Sequence, residues 1–212
     1  DLLEKTYQVL PKITSDYEVI IIDDGSTDDT PQILEKLRRK YKNLRIIRND
    51  RPSGYGGALR KGFEASKKDW IFYTDGDGQY DPSELRDLVE QLTPTIDIVN
   101  GYKMARNDNL IRKISGFAYN RILHALYLIP IRDVDCDFRL IRNSLFNKIK
   151  LESKSGAICL ELVMKLKKQG AKFSEIPVHH YPRRHGQSAF FKIPNLISTL
   201  RENIKLLRKL PS

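Results

Sequence analysis

The chain has 212 residues, a formal net charge of +10 and two cysteines. This length is enough for one α/β domain with a buried core and short for two. The charge indicates anionic partners, whether nucleotides, phospholipid headgroups or nucleic acid, and does not choose among them. Two cysteines exclude a disulfide scaffold and favour a reducing compartment. No run approaches the roughly 20 apolar residues of a membrane-spanning helix, so we expect any membrane contact to be peripheral or made by other segments.

Hydrophobic spacing predicts alternating strands and helices along the chain. The predicted helices cover residues 1–10, 30–41, 58–65, 82–92, 110–129 and 157–169, and the predicted strands cover 18–22, 44–47, 70–73, 96–99 and 172–178. Pro11 is expected to end the first helix, and Asp29 or Thr30 to cap the second. This order favours a mostly parallel sheet with helices on both sides. Cys136 and Cys159 are expected to be plain core thiols.

Carboxylates follow the apolar run 70–73 at the point where that predicted strand ends. Asp75 and Asp77 are separated by one glycine, Gly76, so both can approach a single hard cation. Open α/β sheets bind ligands at this end of their strands, and a divalent metal bridging a diphosphate would fit there. The alternative is an ordinary turn, since aspartate and glycine are common turn residues.

Three further polar clusters lie at the ends of predicted elements, namely residues 23–26, 133–140 and 183–188. With the carboxylate turn, their order and spacing resemble the family 2 inverting glycosyltransferases, in the branch of the dolichyl-phosphate mannose synthases and polyprenyl-phosphate glycosyltransferases. The resemblance extends from about residue 17 to residue 188. It implies a GT-A type, Rossmann-like α/β fold with a mostly parallel sheet flanked by helices. It also implies a nucleotide-sugar donor, UDP- or GDP-linked, and a polyprenyl or dolichyl phosphate acceptor.

The resemblance also implies roles for residues of the first two clusters. Ile22 and Asp24 match positions that hold the base and ribose, and a carboxylate is suited to accept hydrogen bonds from a base N–H. Asp75 and Gly76 match positions that line the nucleotide. Asp77 matches the main metal ligand, with Gln79 as a second ligand and Asp75 nearby. These oxygen ligands suit Mg²⁺ or Mn²⁺, which would neutralise charge on the leaving diphosphate.

The basic residues implied by the resemblance are Lys103, Arg139 and Arg183. Lys103 stands where the family often has a phosphate-binding arginine, and it lacks the bidentate guanidinium. Arg139 and Arg183 match two arginines that hold phosphate groups, which their planar donors fit. Ala189 departs from a lysine that many relatives carry.

The acceptor follows from a chemical argument beside the resemblance. A hydroxyl acceptor needs a general base, whereas a lipid monophosphate is already largely ionised at neutral pH and needs positive charge instead. Relatives that act on polysaccharide hydroxyls carry a Glu-Asp pair and a downstream Gln-x-x-Arg-Trp, and neither occurs here. This favours a polyprenyl phosphate. Asp137, with Asp135 as a second candidate, remains a base for the hydroxyl-acceptor alternative.

The sequence predicts a catalytic domain over residues 1–188 and a basic amphipathic helix over residues 189–212. That helix is expected either to lie in a membrane interface or to pack on the core. We expect a peripheral location on the cytoplasmic side of a membrane. The family begins with a strand that has no counterpart here, so we expect these residues to belong to a longer protein.

Two other classes of protein remain open. A nucleotidyltransferase also combines carboxylates with metal, but it usually needs a basic glycine-rich loop near the first strand. The cluster at residues 53–57 does not have phosphate-loop spacing. A non-catalytic nucleotide- or nucleic-acid-binding module would place aromatics within a basic stripe, whereas the aromatics here are predicted to be buried, so we expect no nucleic-acid partner.

Overall fold

The structure, a computed structural model, describes residues 2–104, 121, 128–183 and 193–209. Its helices are Leu2–Ile13 (α1), Thr30–Lys40 (α2), Tyr55–Ala65 (α3), Leu85–Glu90 (α4), Ala157–Lys168 (α5) and Ile193–Lys209 (α6). Its strands are Val19–Asp23 (β1), Leu44–Arg48 (β2), Trp70–Thr74 (β3), Ile98–Lys103 (β4), Phe138–Arg142 (β5) and Phe173–Val178 (β6). Short 3₁₀ turns cover Pro82–Glu84 and Asn143–Lys148.

The strands form two sheets. β1 and β2 pair in parallel, and the other sheet has the order β3-β5-β4-β6. β5 runs antiparallel to both of its neighbours, while β4 and β6 are parallel. β3, β4 and β6 therefore point the same way, so their carboxyl ends share an edge with the amino end of β5.

Helices cover both faces of the four-stranded sheet, as predicted. On one face, Leu85 and Leu88 of α4 pack with Phe138 and Leu140. On the other face, Phe63 of α3 packs with α5. Successive apolar side chains of β5 thus point into two different apolar layers, which is the pattern of a strand covered on both sides.

The sequence predicted the α/β class correctly and missed one strand. Phe138–Arg142 had been assigned only to a polar cluster, yet it forms β5 at the centre of the sheet. The alternation of polar and apolar residues from Asp137 onward is the signal for it, because Phe138 and Leu140 are buried on one face. Two of the four strand pairings are antiparallel because β5 is inserted between β3 and β4.

Some predicted boundaries differ from the structure. α1 continues through Pro11 to Ile13. Asp29 is at the N-cap of α2 without a side-chain cap bond, while Asp28 accepts from the Thr30 amide at 3.0 Å. The helix predicted from residue 82 begins as a 3₁₀ turn. The helix predicted over residues 110–129 lies almost entirely outside the described residues.

The glycine cluster at the start of α3 allows close packing against the segment 152–155. The Gly56 amide donates to the Lys154 carbonyl at 3.0 Å. A Cβ on Gly56 would lie 2.3 Å from the Ser153 carbonyl oxygen, closer than real contacts allow. The cluster is therefore explained by helix packing, in agreement with its lack of phosphate-loop spacing.

We expect Gly56→Ala to destabilise the fold by at least about 2 kcal/mol, because backbone must move to admit the methyl group. Gly62→Ala in the same helix is the matched control, since its Cβ would be 3.6 Å from Ile22 Cγ1. That control should be neutral or stabilising by up to about 1 kcal/mol. Urea denaturation of both variants measures the difference, and equal stability of the two variants would contradict this account of the cluster.

Candidate active site

Three of the polar clusters meet at one rim of the four-stranded sheet because of strand direction. β3, β4 and β6 end at Thr74, Lys103 and Val178, and β5 begins after Asp137. The first cluster follows β1 of the two-stranded sheet and is connected to this rim through residues 53–55. Parallel strands place their carboxyl ends at a common edge, which is where ligands bind in open α/β folds. The antiparallel β5 brings its amino end to that same edge.

Asp77 and Arg183 join the second and fourth clusters directly. The Nη2 atom of Arg183 donates a hydrogen bond to Asp77 Oδ2 at 2.7 Å and a longer one to Gln79 Oε1 at 3.4 Å. The Gln79 carbonyl accepts from the Tyr181 amide at 2.8 Å, and Gln79 Nε2 donates to the Tyr181 carbonyl at 3.0 Å. The segment after β6 is thus fastened along the turn after β3, and Asp77 and Gln79 present oxygens toward one cationic group.

Asp24 organises the segment that follows β2. Its Oδ1 accepts from the Ser53 amide at 2.8 Å and the Ser53 hydroxyl at 2.7 Å, and its Oδ2 accepts from the Gly54 amide at 2.9 Å. Burial acts to raise the pKa of Asp24, but the hydrogen bonds from Ser53, Asn49 and Gly54 outweigh it and hold the pKa below its usual range. Asp24 is therefore an ionised anchor for residues 49–54.

Tyr55 links this anchor to the carboxylate turn. It follows Gly54, and its hydroxyl donates to Asp75 Oδ1 at 3.1 Å. The first and second clusters are therefore connected through the start of α3. Tyr55 is not among the site residues predicted from the sequence. The available signal was an aromatic within a glycine cluster at the start of a helix that follows a predicted strand.

Carboxyl groups are crowded together at this rim, which makes their ionisation harder. Burial, followed by repulsion from Asp137 and Asp77, raises the pKa of Asp75 to about 8. Burial also raises the pKa of Asp137, although Lys103 and Arg139 oppose the change. Such raised values are typical of functional sites where like charges are held together.

Lys103 and Cys159 contact the third cluster. The Lys103 ammonium donates to the Asp135 carbonyl at 2.8 Å and lies 3.7 Å from Asp133 Oδ2. The Cys159 thiol donates to Asp137 Oδ1 at 3.3 Å. Both cysteines are buried and free, as expected. Lys103 thus lies among the carboxylates, where it supplies positive charge near Asp137.

Arg139 lies inside the sheet, with 0% of the residue exposed. Its neighbours across the strands are Tyr73 and Asn100. It donates to the Asn100 side chain and to the Val134 carbonyl, while its Nη1 meets no hydrogen-bond partner among the described residues. The structure therefore places Arg139 beneath the rim and does not bring its guanidinium to the exposed surface beside Arg183.

The remaining site residues predicted from the sequence are Ile22, Gly76 and the later part of the fourth cluster. Ile22 is half-buried in β1 and faces Gly62 of α3. Gly76 is exposed, and a Cβ built on it would meet nothing within 4 Å. Residues 184–188 of the fourth cluster and Ala189 lie outside the described residues.

The oxygens at the rim have the chemistry that a hard divalent cation requires. Mg²⁺ is usually held by one or two carboxylates together with substrate phosphates rather than by an all-protein cage. Asp77 and Gln79 converge on one cationic atom of Arg183, and the repulsion among Asp75, Asp77 and Asp137 would be relieved by added positive charge. Across the described ranges, no set of three or more His, Cys, Asp or Glu is gathered for metal binding. A pair of protein oxygens such as those of Asp77 and Gln79 fits a cation that takes its other ligands from a phosphate group.

We expect Gly76→Ala to weaken nucleotide binding by about tenfold while leaving the stability of the free protein within about 1 kcal/mol. The added methyl group meets no protein atom, so only a bound ligand would encounter it. Thermal unfolding with and without nucleotide measures both effects. Unchanged nucleotide stabilisation would show that ligands do not approach the backbone at Gly76.

Comparison with known proteins identifies the fold class of the chain. The fold is that of GT-A type glycosyltransferases, because glucosyl-3-phosphoglycerate synthase from Mycobacterium tuberculosis superimposes with a TM-score of 0.72. The match is 17% identical and covers 99% of this chain and 75% of that one, whose crystal contains Mn²⁺, UDP and glucosyl-3-phosphoglycerate.

The chain belongs to Glycosyl transferase family 2, which its sequence matches over residues 1–150. It is 27% identical to dodecaprenyl-phosphate galacturonate synthase of Rhizobium johnstonii, over 89% of this chain and 56% of the relative. It is also 27% identical to undecaprenyl-phosphate 4-deoxy-4-formamido-L-arabinose transferase of Edwardsiella ictaluri, over 94% of this chain and 62% of the relative. The chain thus spans less than two thirds of the length of these relatives. The predicted family is confirmed.

Proposed function

We propose that this protein transfers a sugar from a UDP- or GDP-sugar to a polyprenyl or dolichyl phosphate, with inversion and with Mg²⁺ or Mn²⁺ as cofactor. The observation that carries the proposal is the contact of Asp77 and Gln79 with Arg183. It joins an oxygen donor set and a phosphate-binding side chain at one rim. Two relatives with polyprenyl-phosphate names support the acceptor, and a fold neighbour crystallised with Mn²⁺ and UDP supports the donor.

Each rim residue has a role in this proposal. Asp77 and Gln79 would hold the cation, with Asp75 beside them, and their site would thereby supply positive charge against the leaving diphosphate. Asp24, with Ile22 beside it in β1, shapes the wall against the base and ribose through the segment 49–54.

The basic residues receive the phosphates. Arg183 binds phosphate oxygens once it is released from Asp77, and its planar donors suit that geometry. Lys103, at the end of β4 and in contact with the third cluster, adds positive charge. Buried Arg139 supports the site as a positive charge close to Asp137.

A phosphate acceptor agrees with the electrostatics of the rim. A lipid monophosphate is already a nucleophile at neutral pH and needs no general base. Lys103, at the end of β4, and Arg183, in the segment after β6, provide positive charge for an anionic acceptor. We infer that the acceptor is delivered from the cytoplasmic face of a membrane.

One observation favours a second candidate, transfer to a hydroxyl group. Burial raises the pKa of Asp137, as in many general bases, and the residue as a whole is half-buried at the rim. In that case Asp137 would accept the proton of the attacking hydroxyl. No described contact favours a nucleotidyltransferase or a non-catalytic module over a family 2 transferase.

An acceptor comparison tests the proposal. The protein is incubated with Mn²⁺ and a panel of UDP- and GDP-sugars, and with either polyprenyl phosphate or the matching polyprenol. Sugar should be recovered on polyprenyl phosphate and not on polyprenol. Transfer to the polyprenol, lost in Asp137→Asn, would establish the hydroxyl-acceptor alternative, and no transfer to either acceptor with any donor would refute the proposal.

A further inference from the structure

The C-terminal helix α6 carries an exposed apolar stripe. Leu196, Leu200 and Ile204 are spaced four residues apart, and Ile197 lies beside them, so all four share one face of the helix. Their exposed fractions are 39%, 59%, 45% and 44%, respectively. Single exposed apolar residues are ordinary on protein surfaces, but a contiguous stripe marks an interaction site.

A second face of α6, beside the stripe, fixes the orientation of the helix. Thr199, Asn203 and Leu206 are buried, and Leu206 packs in the cluster that contains Leu160 and Val163 of α5. Of these three buried residues, two are polar. The helix therefore packs on the core while its more apolar side stays outward, so the two arrangements expected from the sequence are compatible.

Hydrogen bonds to the segment 152–155 hold this arrangement. Glu202 accepts from the Ser155 amide at 3.1 Å and the Ser155 hydroxyl at 2.6 Å, and Lys209 pairs with Glu152 at 2.7 Å. A helix turned to bury its stripe would lose all of these contacts. The stripe therefore faces outward because Glu202 and Lys209 hold another side of α6 against the segment 152–155.

Basic residues border the stripe. Arg201 follows Ile197 by four residues and Arg208 follows Ile204 by four, which places both along one edge, with Lys205 beyond them. All three are exposed, and in the described part of the chain no ion pair engages them. Glu202 is the only acidic residue of α6, and it faces the segment 152–155.

We propose that α6 lies in the interfacial plane of an anionic lipid bilayer, with the stripe among the acyl chains and Arg201, Lys205 and Arg208 at the headgroups. An apolar stripe edged by basic side chains matches that boundary in both polarity and charge. A protein partner would need an apolar groove lined by acidic residues to match the same pattern. No helix among the described residues is long and apolar enough to span a membrane, and interfacial docking needs no spanning segment. The inference goes beyond sugar transfer, because lipid would bind whether or not transfer occurs.

Vesicle sedimentation tests this inference. The 212-residue chain is mixed with vesicles of phosphatidylcholine alone or with phosphatidylglycerol added, and none contains polyprenyl phosphate. The chain should bind the anionic vesicles, and binding should weaken as salt is raised. Combined Leu200→Ser and Ile204→Ser should lower the partition coefficient by about tenfold or more. Combined Arg201→Gln and Arg208→Gln should reduce binding to anionic vesicles selectively.

Ile33→Ser is the matched control, because Ile33 is 53% exposed on a different helix, α2. It should bind vesicles like the unaltered chain, and circular dichroism should show that every variant is folded. The inference is overturned if the unaltered chain ignores anionic vesicles, or if the control loses as much binding as the stripe variant. It is also overturned if light scattering shows that the stripe variant dissociates a dimer and lipid binding does not change. Because the readout is lipid binding, a protein that docks without transferring sugar refutes only the proposed function.

Discussion

Replacing Asp77 by asparagine is expected to lower sugar transfer by about 10³-fold or more while leaving the protein folded. The substitution removes the charge of the main proposed cation ligand and keeps an oxygen that can accept from the Gln79 amide, as Asp77 Oδ1 does now at 3.0 Å. A 10³-fold loss corresponds to about 4 kcal/mol of transition-state stabilisation. Transfer rates and thermal unfolding of the same preparation measure the two effects.

Folding should survive this change because the Asp77–Arg183 pair contributes little to stability. Arg183 has 30% of its side chain exposed, and partly exposed pairs are worth about 0–1 kcal/mol. Asp87→Asn, on the exposed face of α4, is the matched control and should retain full activity. An Asp77→Asn protein that keeps more than about a tenth of the activity would remove Asp77 from the catalytic site.

Glu161→Ala is expected to destabilise the fold by about 3–5 kcal/mol, the range for breaking a buried charged pair. Glu161 is fully buried in α5 and accepts from the Glu152 amide at 2.9 Å and the Ser153 amide at 2.8 Å. The Lys165 ammonium donates to it at 2.6 Å. Removing the carboxylate leaves these donors unpaired, and the same segment contacts Gly56 and Glu202. Urea denaturation at neutral pH measures the loss, and Glu64→Ala on the exposed side of α3 should cost no more than about 0.5 kcal/mol.

The cost of Glu161→Ala should also depend on pH. Burial acts to raise the pKa of Glu161, but hydrogen bonds from Lys165, Ser153 and Glu152 outweigh it and lower the pKa. A lowered folded-state pKa gives stability that is present above the unfolded-state value of about 4.3 and lost as the pH falls through the folded value. The difference between the two proteins should therefore shrink as pH falls below about 4. A difference that stays constant with pH would show that Glu161 is not ionised in the folded protein.

The sequence predicted the strands and helices whose periodicity is strong, and it predicted the rim because clusters that follow parallel strands meet at one edge. The contact between Asp77 and Arg183, which are 106 residues apart, follows from that topology. The hydrogen bonds of Asp24 and Tyr55 could not be predicted, because they depend on the path of residues 49–55 in space. The buried position of Arg139 could not be predicted either, because it depends on β5, a strand that was not predicted.

The orientation of α6 was also beyond the sequence. Periodicity identified an amphipathic helix but could not show which face would pack, and hydrophobicity alone would have put the leucines and isoleucines inward. The bonds of Glu202 and the fit of Thr199 and Asn203 against the core decide the matter. These are contacts between segments about 50 residues apart, which carry no local signal.

The metal dependence of nucleotide binding tests the central claim most directly. The affinities of UDP and GDP for the protein are measured by calorimetry with Mn²⁺ and with EDTA. If the rim holds a diphosphate through a cation, one of the nucleotides should bind in Mn²⁺ and lose at least about tenfold in affinity in EDTA, a change of about 1.4 kcal/mol. Equal affinity in both conditions, or no binding of either nucleotide in Mn²⁺, would contradict the claim.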